Sequence, residues 1–263
     1  MKIGFIGGGA MGEAIIRCLL AKKVAAPQDM VVSDISPARR EFLKSEHGVT
    51  TLTDNVMAAR NADMVVLAVK PQTLPQIMGE LRGLGPSQIV LSIMAGITLS
   101  TLSNGLGHAC IVRSMPNMPV QIGQGMTVWT STPEAGEEQK EMARTVLGSL
   151  GKELYVAEEK YLDMATALSA GGPAFLFLFA EALVDAGVHI GMPRPMAQEL
   201  AVQTILGSAH TIDRTGKHPA ELKNTVTSPG GTTTEGLFQL EKGAFRALVF
   251  EAVAAAHKKA QSF

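Results

Sequence analysis

The chain has 263 residues, 46% hydrophobic and 18% charged, with a formal net charge of −1. That length holds one large core or two small ones, and the composition excludes a disordered polymer. Scattered basic residues leave no electrostatic footprint for nucleic acid. No run reaches the roughly 18 uninterrupted apolar residues of a membrane span, and the best, Pro173 to Val184, is broken by Glu181. The six histidines show no metal-ligand spacing. Cys18 and Cys110 stand in unlike settings and read as two buried thiols, which suits a reducing cytoplasm. The short apolar N-terminal run ends in glycines rather than in a cleavable small-residue site.

In chain order, short apolar runs predict strands at Lys2–Ile6, Met30–Ser33, Met64–Val69, Ile89–Ile93, Ala109–Ser114 and Gly125–Thr130. Runs such as MVVLAV and IVLSI are apolar nearly throughout, as strands covered on both faces should be. Helical patterns at Ala10–Ala21 and Pro37–Glu46 alternate with them, which predicts an α/β, Rossmann-type doubly wound parallel sheet. A helix at Glu134–Leu150 and a last strand at Glu153–Val156 follow.

After about Ala157 strand signals vanish. Helical patterns, partitioned by Gly171-Gly172-Pro173, Gly191-Met192-Pro193, His218-Pro219 and Ser228-Pro229-Gly230-Gly231, run to the end. The boundary is therefore expected near residue 157, with a dinucleotide-binding domain at 1–157 and an all-helical domain at 158–263.

The first strand runs into Gly7-Gly8-Gly9-Ala10-Met11-Gly12 and then a helix. The GxGxxG string alone is weak, but this position gives each glycine a task. Gly7 makes the tight turn, Gly9 admits a pyrophosphate close to the backbone, and Gly12 lets the helix pack against the strand. The helix start adds unpaired N–H groups and a positive dipole end. At the end of the second strand, Asp34 stands 22 residues after Gly12, where an acid would bond the ribose 2′-OH of NAD. Ser33, Ser36, Arg39 and Arg40 crowd the same turn and could hold the 2′-phosphate of NADP. A plainer reading has Asp34 and Ser36 capping the next helix. NAD and NADP both stay open. Ala68-Val69-Lys70-Pro71 and Met94-Ala95-Gly96 close two further strands, the ends at which open α/β sheets bind ligands.

In the helical half, a glycine-rich bend followed by Thr232-Thr233-Thr234-Glu235 and a helix offers a site for a carboxylate. The structural alternative is a capping box of Thr232 and Glu235. Phe175, Phe177 and Phe179 read as core or subunit interface.

These motifs occur in one order: FIGGGAMG at 5–12, AVKPQ at 68–72, RSMPNMP at 113–119, SAGGPAF at 169–175 and VTSPGGTT at 226–233. Together they resemble pyrroline-5-carboxylate reductase over essentially the whole length, the last motif being the most specific. The resemblance implies a Rossmann domain followed by a helical one, and NAD(P)H-dependent reduction of a C=N bond to give L-proline. It puts the pyrophosphate at Ile6, Gly7, Gly8, Gly9, Ala10, Met11 and Gly12. It sets Asn55, Ala68, Val69, Lys70 and Pro71 against the cofactor and Ala95 and Gly96 near the nicotinamide. Gly230, Gly231, Thr232 and Thr233 fall to the substrate, with Ser228 opening that bend. It also implies a homo-oligomer built through the second domain. Two positions depart from the family pattern: Phe175 replaces a frequent tyrosine, and Thr225 a frequent asparagine.

Hydride transfer to an iminium carbon asks mainly for placement. Backbone N–H groups of Gly230–Thr233 are expected to meet the substrate carboxylate, and the Thr233 hydroxyl the ring nitrogen, with Thr233 or a water as the proton route. A β-hydroxyacid dehydrogenase is the nearest rival, but such enzymes resemble one another in using a lysine on an interdomain helix, in a Gly-x-x-Lys-x-x-Asn setting. Here that helix reads Pro173-Ala174-Phe175-Leu176-Phe177-Leu178-Phe179. A non-catalytic dinucleotide sensor is the rival from another class, disfavoured by the complete SPGGTT.

Overall fold

The apolar runs pair side by side into a single sheet in a computed structural model that describes residues 1–262. In chain order the first part holds β1 (Ile3–Ile6), α1 (Ala10–Ala21), β2 (Met30–Ser33), α2 (Pro37–His47), β3 (Thr50–Leu52), α3 (Asn55–Ala59) and β4 (Met64–Leu67). Next come α4 (Leu74–Glu80), β5 (Ile89–Ser92), α5 (Leu99–Leu106), β6 (Ile111–Pro116), β7 (Gly125–Ser131), α6 (Glu137–Gly148) and β8 (Gly151–Tyr155).

The sheet order is β3-β2-β1-β4-β5-β6-β7-β8. All pairs are parallel except β6 with β7. The parallel, doubly wound sheet expected from the sequence is present, with this one antiparallel pair as the departure. The connection from Asn117 to Gln124 is too short for a parallel crossover, which takes a dozen or more residues.

Alternate strand residues feed cores on opposite faces. Phe5, Met64, Val66 and Leu91 join one, and Ile6, Val65, Leu67 and Val90 the other. Chain reversal between β1 and β4 opens the crevice in which such sheets bind ligands.

The helical part comprises α7 (Lys160–Ala165), a π-turn over Thr166–Ala170, α8 (Gly172–His189), α9 (Arg194–Thr215), α10 (Pro219–Thr225), α11 (Thr232–Lys242) and α12 (Phe245–Ala260). By contacts the chain divides into Met1–Gly171 with the segment from Ala256, and Gly172–Ala255. This division lies later than the boundary near residue 157. Leu162 of α7 is fully buried, and Arg113 of β6 holds Glu159 and Asp163 at 2.8 and 2.9 Å, so α7 belongs to the first unit.

In the second unit α8 crosses α9 where Gly187 faces Ala197; a Cβ on the glycine would come within 2.9 Å of the alanine methyl. The buried core there is thin: Val184, Ala197 and Ala201. Large apolar side chains stand exposed instead, Leu178 at 67% and Phe250 at 77%. A cavity of about 400 Å³ runs between α8 and α12, lined by Phe175, Phe179, Phe245 and Leu248 among others. An apolar surface of this kind marks a place where another molecule binds.

Candidate active site

In the first unit the predicted residues gather at the carboxyl ends of β1, β2, β4 and β5. Backbone bonds pin these ends together: Gly7 N–H to Ser33 O at 2.8 Å, Ala68 N–H to Ile6 O at 2.9 Å, and Ile93 N–H to Leu67 O at 3.2 Å. Gly7 has φ +98°, and a Cβ there would meet Ala68 O at 2.6 Å. A Cβ on Gly12 would meet Gly7 O at 2.6 Å. Gly9 is the reverse case. It is exposed, it is the N-cap of α1 with no side chain capping it, and a Cβ would meet nothing within 4 Å. Only Gly9 of the three keeps open space in front of the helix start, which is the room a pyrophosphate needs. The residues present therefore fit a dinucleotide.

Asp34 binds the loop from behind. Its carboxylate accepts Gly8 N–H at 2.9 Å and Ser36 N–H at 2.8 Å. Ser36, not Asp34, is the N-cap of α2 and accepts Arg39 N–H. The capping alternative thus holds for Ser36 alone. Arg39 and Arg40 are also engaged: Arg39 donates to Gly8 O and pairs with Glu13, and Arg40 donates to Asp34 O at 2.7 Å. Burial works against the charge on Glu13, but Arg39 and then His47 outweigh it and hold the carboxyl below its ordinary pKa.

Ser33 is buried, and its hydroxyl donates to Asn55 Oδ1 at 2.5 Å. Val69 lies partly buried beside Gly7, and exposed Lys70 opens a 3₁₀ turn from Pro71 to Thr73. Ala95 and Gly96 follow β5, with Gly96 at φ +74°. Glu159 accepts Leu99 N–H at 2.7 Å, which ties the first residue of α5 to the Arg113 ion pair.

Asn117 joins two of the sequence motifs. Its Nδ2 donates to Ser169 O and Oγ, each at 3.3 Å, and its Oδ1 accepts Met126 N–H at 2.9 Å. Sequence reasoning singled out neither Glu13 nor the Arg113 cluster. An arginine inside the apolar strand IVRSM, and acids four apart at Glu159 and Asp163, were the available signals.

The second cluster lies in the helical unit. Gly230 takes φ +68° and Gly231 is the N-cap of α11, again with no side-chain cap. The capping box of Thr232 and Glu235 does not form. Thr234 Oγ1 donates to Ser228 O at 2.6 Å and closes the bend, while a Cβ on Gly231 would collide with Ser228 Oγ. Thr232 and Thr233 are the first two helical residues and are exposed, so the start of α11 presents backbone N–H groups and two hydroxyls to solvent.

A 3-2-1-4-5-6 strand order with an open glycine turn at its reversal point defines a Rossmann-type, dinucleotide-binding protein. Comparison with known proteins is consistent with this. Residues 2–96 match the family model described as NADP oxidoreductase coenzyme F420-dependent, and residues 159–263 match pyrroline-5-carboxylate reductase dimerisation. The chain is 41% identical over 261 residues to pyrroline-5-carboxylate reductase of Synechocystis sp., covering 99% of this chain and 97% of that one. Its fold is similar to a Coxiella burnetii pyrroline-5-carboxylate reductase, with a TM-score of 0.91, 35% identity and coverage of 99% and 97%. It is equally similar to the Plasmodium falciparum enzyme with NADP bound, with a TM-score of 0.91, 31% identity and coverage of 100% and 97%. The chain belongs to the pyrroline-5-carboxylate reductase family.

Proposed function

We propose that this chain reduces the C=N bond of 1-pyrroline-5-carboxylate with NADPH or NADH, giving L-proline. The observation that carries the reading is the start of α11, where left-handed Gly230 and uncapped Gly231 leave backbone donors for a carboxylate. Ile6 to Gly12 would hold the pyrophosphate, Ser33, Asp34 and Asn55 the ribose end, and Ala68 to Pro71 with Ala95 and Gly96 the nicotinamide side. When bound, the nicotinamide supplies the hydride. The protein's part is to place the imine and keep its nitrogen protonated. Amides around Gly230–Thr233 receive the substrate carboxylate. The Thr233 hydroxyl bonds the ring nitrogen, which favours attack at carbon, and Thr233 or a water moves the proton.

The helical part would also join two copies, as the dimerisation family model suggests. The run Lys160–His189 is long and apolar enough to cross a membrane by length and composition, and with only 11% of its most apolar window buried its apolar face needs a cover. Glu181 and Asp185 lie within α8, which favours a second copy over lipid as the cover. A cytoplasmic setting fits two free, buried cysteines.

The test is oxidation of NADPH and of NADH with pyrroline-5-carboxylate and, in parallel, a six-membered cyclic imine. Turnover faster with the five-membered ring is expected. Cofactor binding without turnover of either imine would favour a sensor.

A further inference from the structure

Behind the ribose end of the cofactor site lies a chain of three hydrogen bonds with a fixed sense. Ser33 Oγ donates to Asn55 Oδ1 at 2.5 Å, and Asn55 Nδ2 donates to Glu80 Oε2 at 2.6 Å. Gln76 Nε2 donates to the other oxygen of Glu80 at 2.7 Å. The three core members come from separate elements: the end of β2, the start of α3 and the end of α4. Ser33 is buried, and Asn55 and Glu80 are partly buried.

A carboxylate can only accept, so Glu80 compels the amide of Asn55 to face it with its nitrogen. The amide oxygen must then face Ser33. That in turn draws the Ser33 proton toward Asn55 rather than toward Phe5 O, 3.2 Å away. Locked in this sense, the partly buried Asn55 Oδ1 is an acceptor, and the buried Ser33 hydroxyl is spent on it. Acceptors suit a ribose 2′-hydroxyl, which can donate. They oppose a 2′-phosphate, which itself needs donors. Of the two nearby guanidinium groups, Arg39 is committed to Glu13 and Gly8 O, while Arg40 donates one N–H to Asp34 O.

We infer that Glu80 is a specificity-determining residue for the cofactor: acting through Asn55, it sets the hydrogen-bonding sense at the 2′ position and restrains affinity for the phosphorylated dinucleotide. Glu80 is a positioning residue here and touches no reacting atom. The inference rests on the reductase reading, since it presumes a dinucleotide in the glycine-loop site.

The experiment is calorimetric titration of the full chain with NADPH and NADH in the absence of substrate, read as the ratio of the two Kd values. Glu80→Met removes the acceptor and frees the Asn55 amide to turn. It should move the ratio toward NADPH by about 5-fold, the worth of one hydrogen bond of ordinary strength. Glu80→Gln keeps one acceptor oxygen and should shift the ratio less. In an Asn55→Ala background, Glu80→Met should no longer change the ratio. An unchanged ratio in Glu80→Met would overturn the inference, as would a shift in Glu80→Gln as large as that in Glu80→Met. So would a full shift that persists without Asn55. Should Glu80→Met not fold, the comparison of Glu80→Gln with and without Asn55 decides in the same way. Failure of the unsubstituted chain to bind either dinucleotide would overturn the reductase reading together with this one, whereas an unchanged ratio in a chain that binds both overturns this one alone.

Discussion

Asp34 holds Gly8: its carboxylate accepts the Gly8 N–H at 2.9 Å, across 26 residues of sequence. One acid at the end of β2 therefore braces the glycine turn that follows β1. Asp34→Ala should not simply exchange one cofactor for the other. It leaves the N–H groups of Gly8 and Ser36 without their partner, at a cost of about 1–3 kcal/mol. We expect weaker binding of both dinucleotides and a lower melting temperature. Asp34→Asn, which keeps one acceptor oxygen, should recover part of both. Calorimetry beside melting curves checks this, and an Asp34→Ala chain of full stability with altered preference alone would contradict it.

Gly9→Val is the complementary change. Open space surrounds its Cβ position and its φ of −63° is ordinary, so the fold should hold. The new side chain would occupy the room in front of α1, and dinucleotide affinity should fall by at least about 100-fold. Equal affinity in a folded variant would mean that the glycine loop serves the backbone only.

The Glu13 carboxyl has its pKa held down by Arg39 and His47 against the cost of burial. A depressed carboxyl contributes stability above its unfolded pKa and loses it as pH falls through the folded value. The native chain should therefore lose its advantage over Glu13→Gln as pH drops below the ordinary carboxylate range of about 4.3. Melting temperatures of both proteins between pH 7 and about 3 read this out, and the two curves should converge at the acid end. Parallel curves throughout would remove the charge from the account.

Thr233 is the residue on which the proposed mechanism turns. If its hydroxyl bonds the ring nitrogen, Thr233→Val should lower kcat by about 10- to 150-fold, which is one hydrogen bond to a charged group, and leave dinucleotide affinity nearly unchanged. Thr232→Val should matter less, since its backbone N–H survives. Neither hydroxyl caps α11, so melting temperatures should scarcely move. A Thr233→Val enzyme with full kcat would end the assignment.

Much of this architecture was legible because its signals are local. The nearly all-apolar runs of β1, β4 and β5 and the glycine turn after β1 each carry their own pattern, and the predicted limits of α1 and β2 match the observed ones. Thr50–Leu52 did not announce itself, since three residues cannot show a period. The antiparallel β7 was readable in principle from the short connection before it, but apolar content says nothing of direction. At the site, the tasks of Gly7, Gly9 and Gly12 could be read because only backbone geometry is involved. Glu13 and Glu80 could not. Their partners Arg39 and Asn55 lie 26 and 25 residues away, brought together only by the winding of the sheet. The capping box suggested for Thr232 failed for a local reason, since the N-cap is Gly231 and the bend is closed by Thr234 instead.

The exposed apolar faces of α8 and α12 have a thermodynamic corollary. With only Val184, Ala197 and Ala201 forming a buried core between Gly172 and Ala255, that segment owes much of its free energy to whatever covers Leu178 and Phe250. If the cover is a second copy, unfolding is also dissociation, and mass action enters the midpoint. The same polypeptide would then melt at a lower temperature when diluted, and stability would be a property of the solution's protein concentration as much as of any one chain.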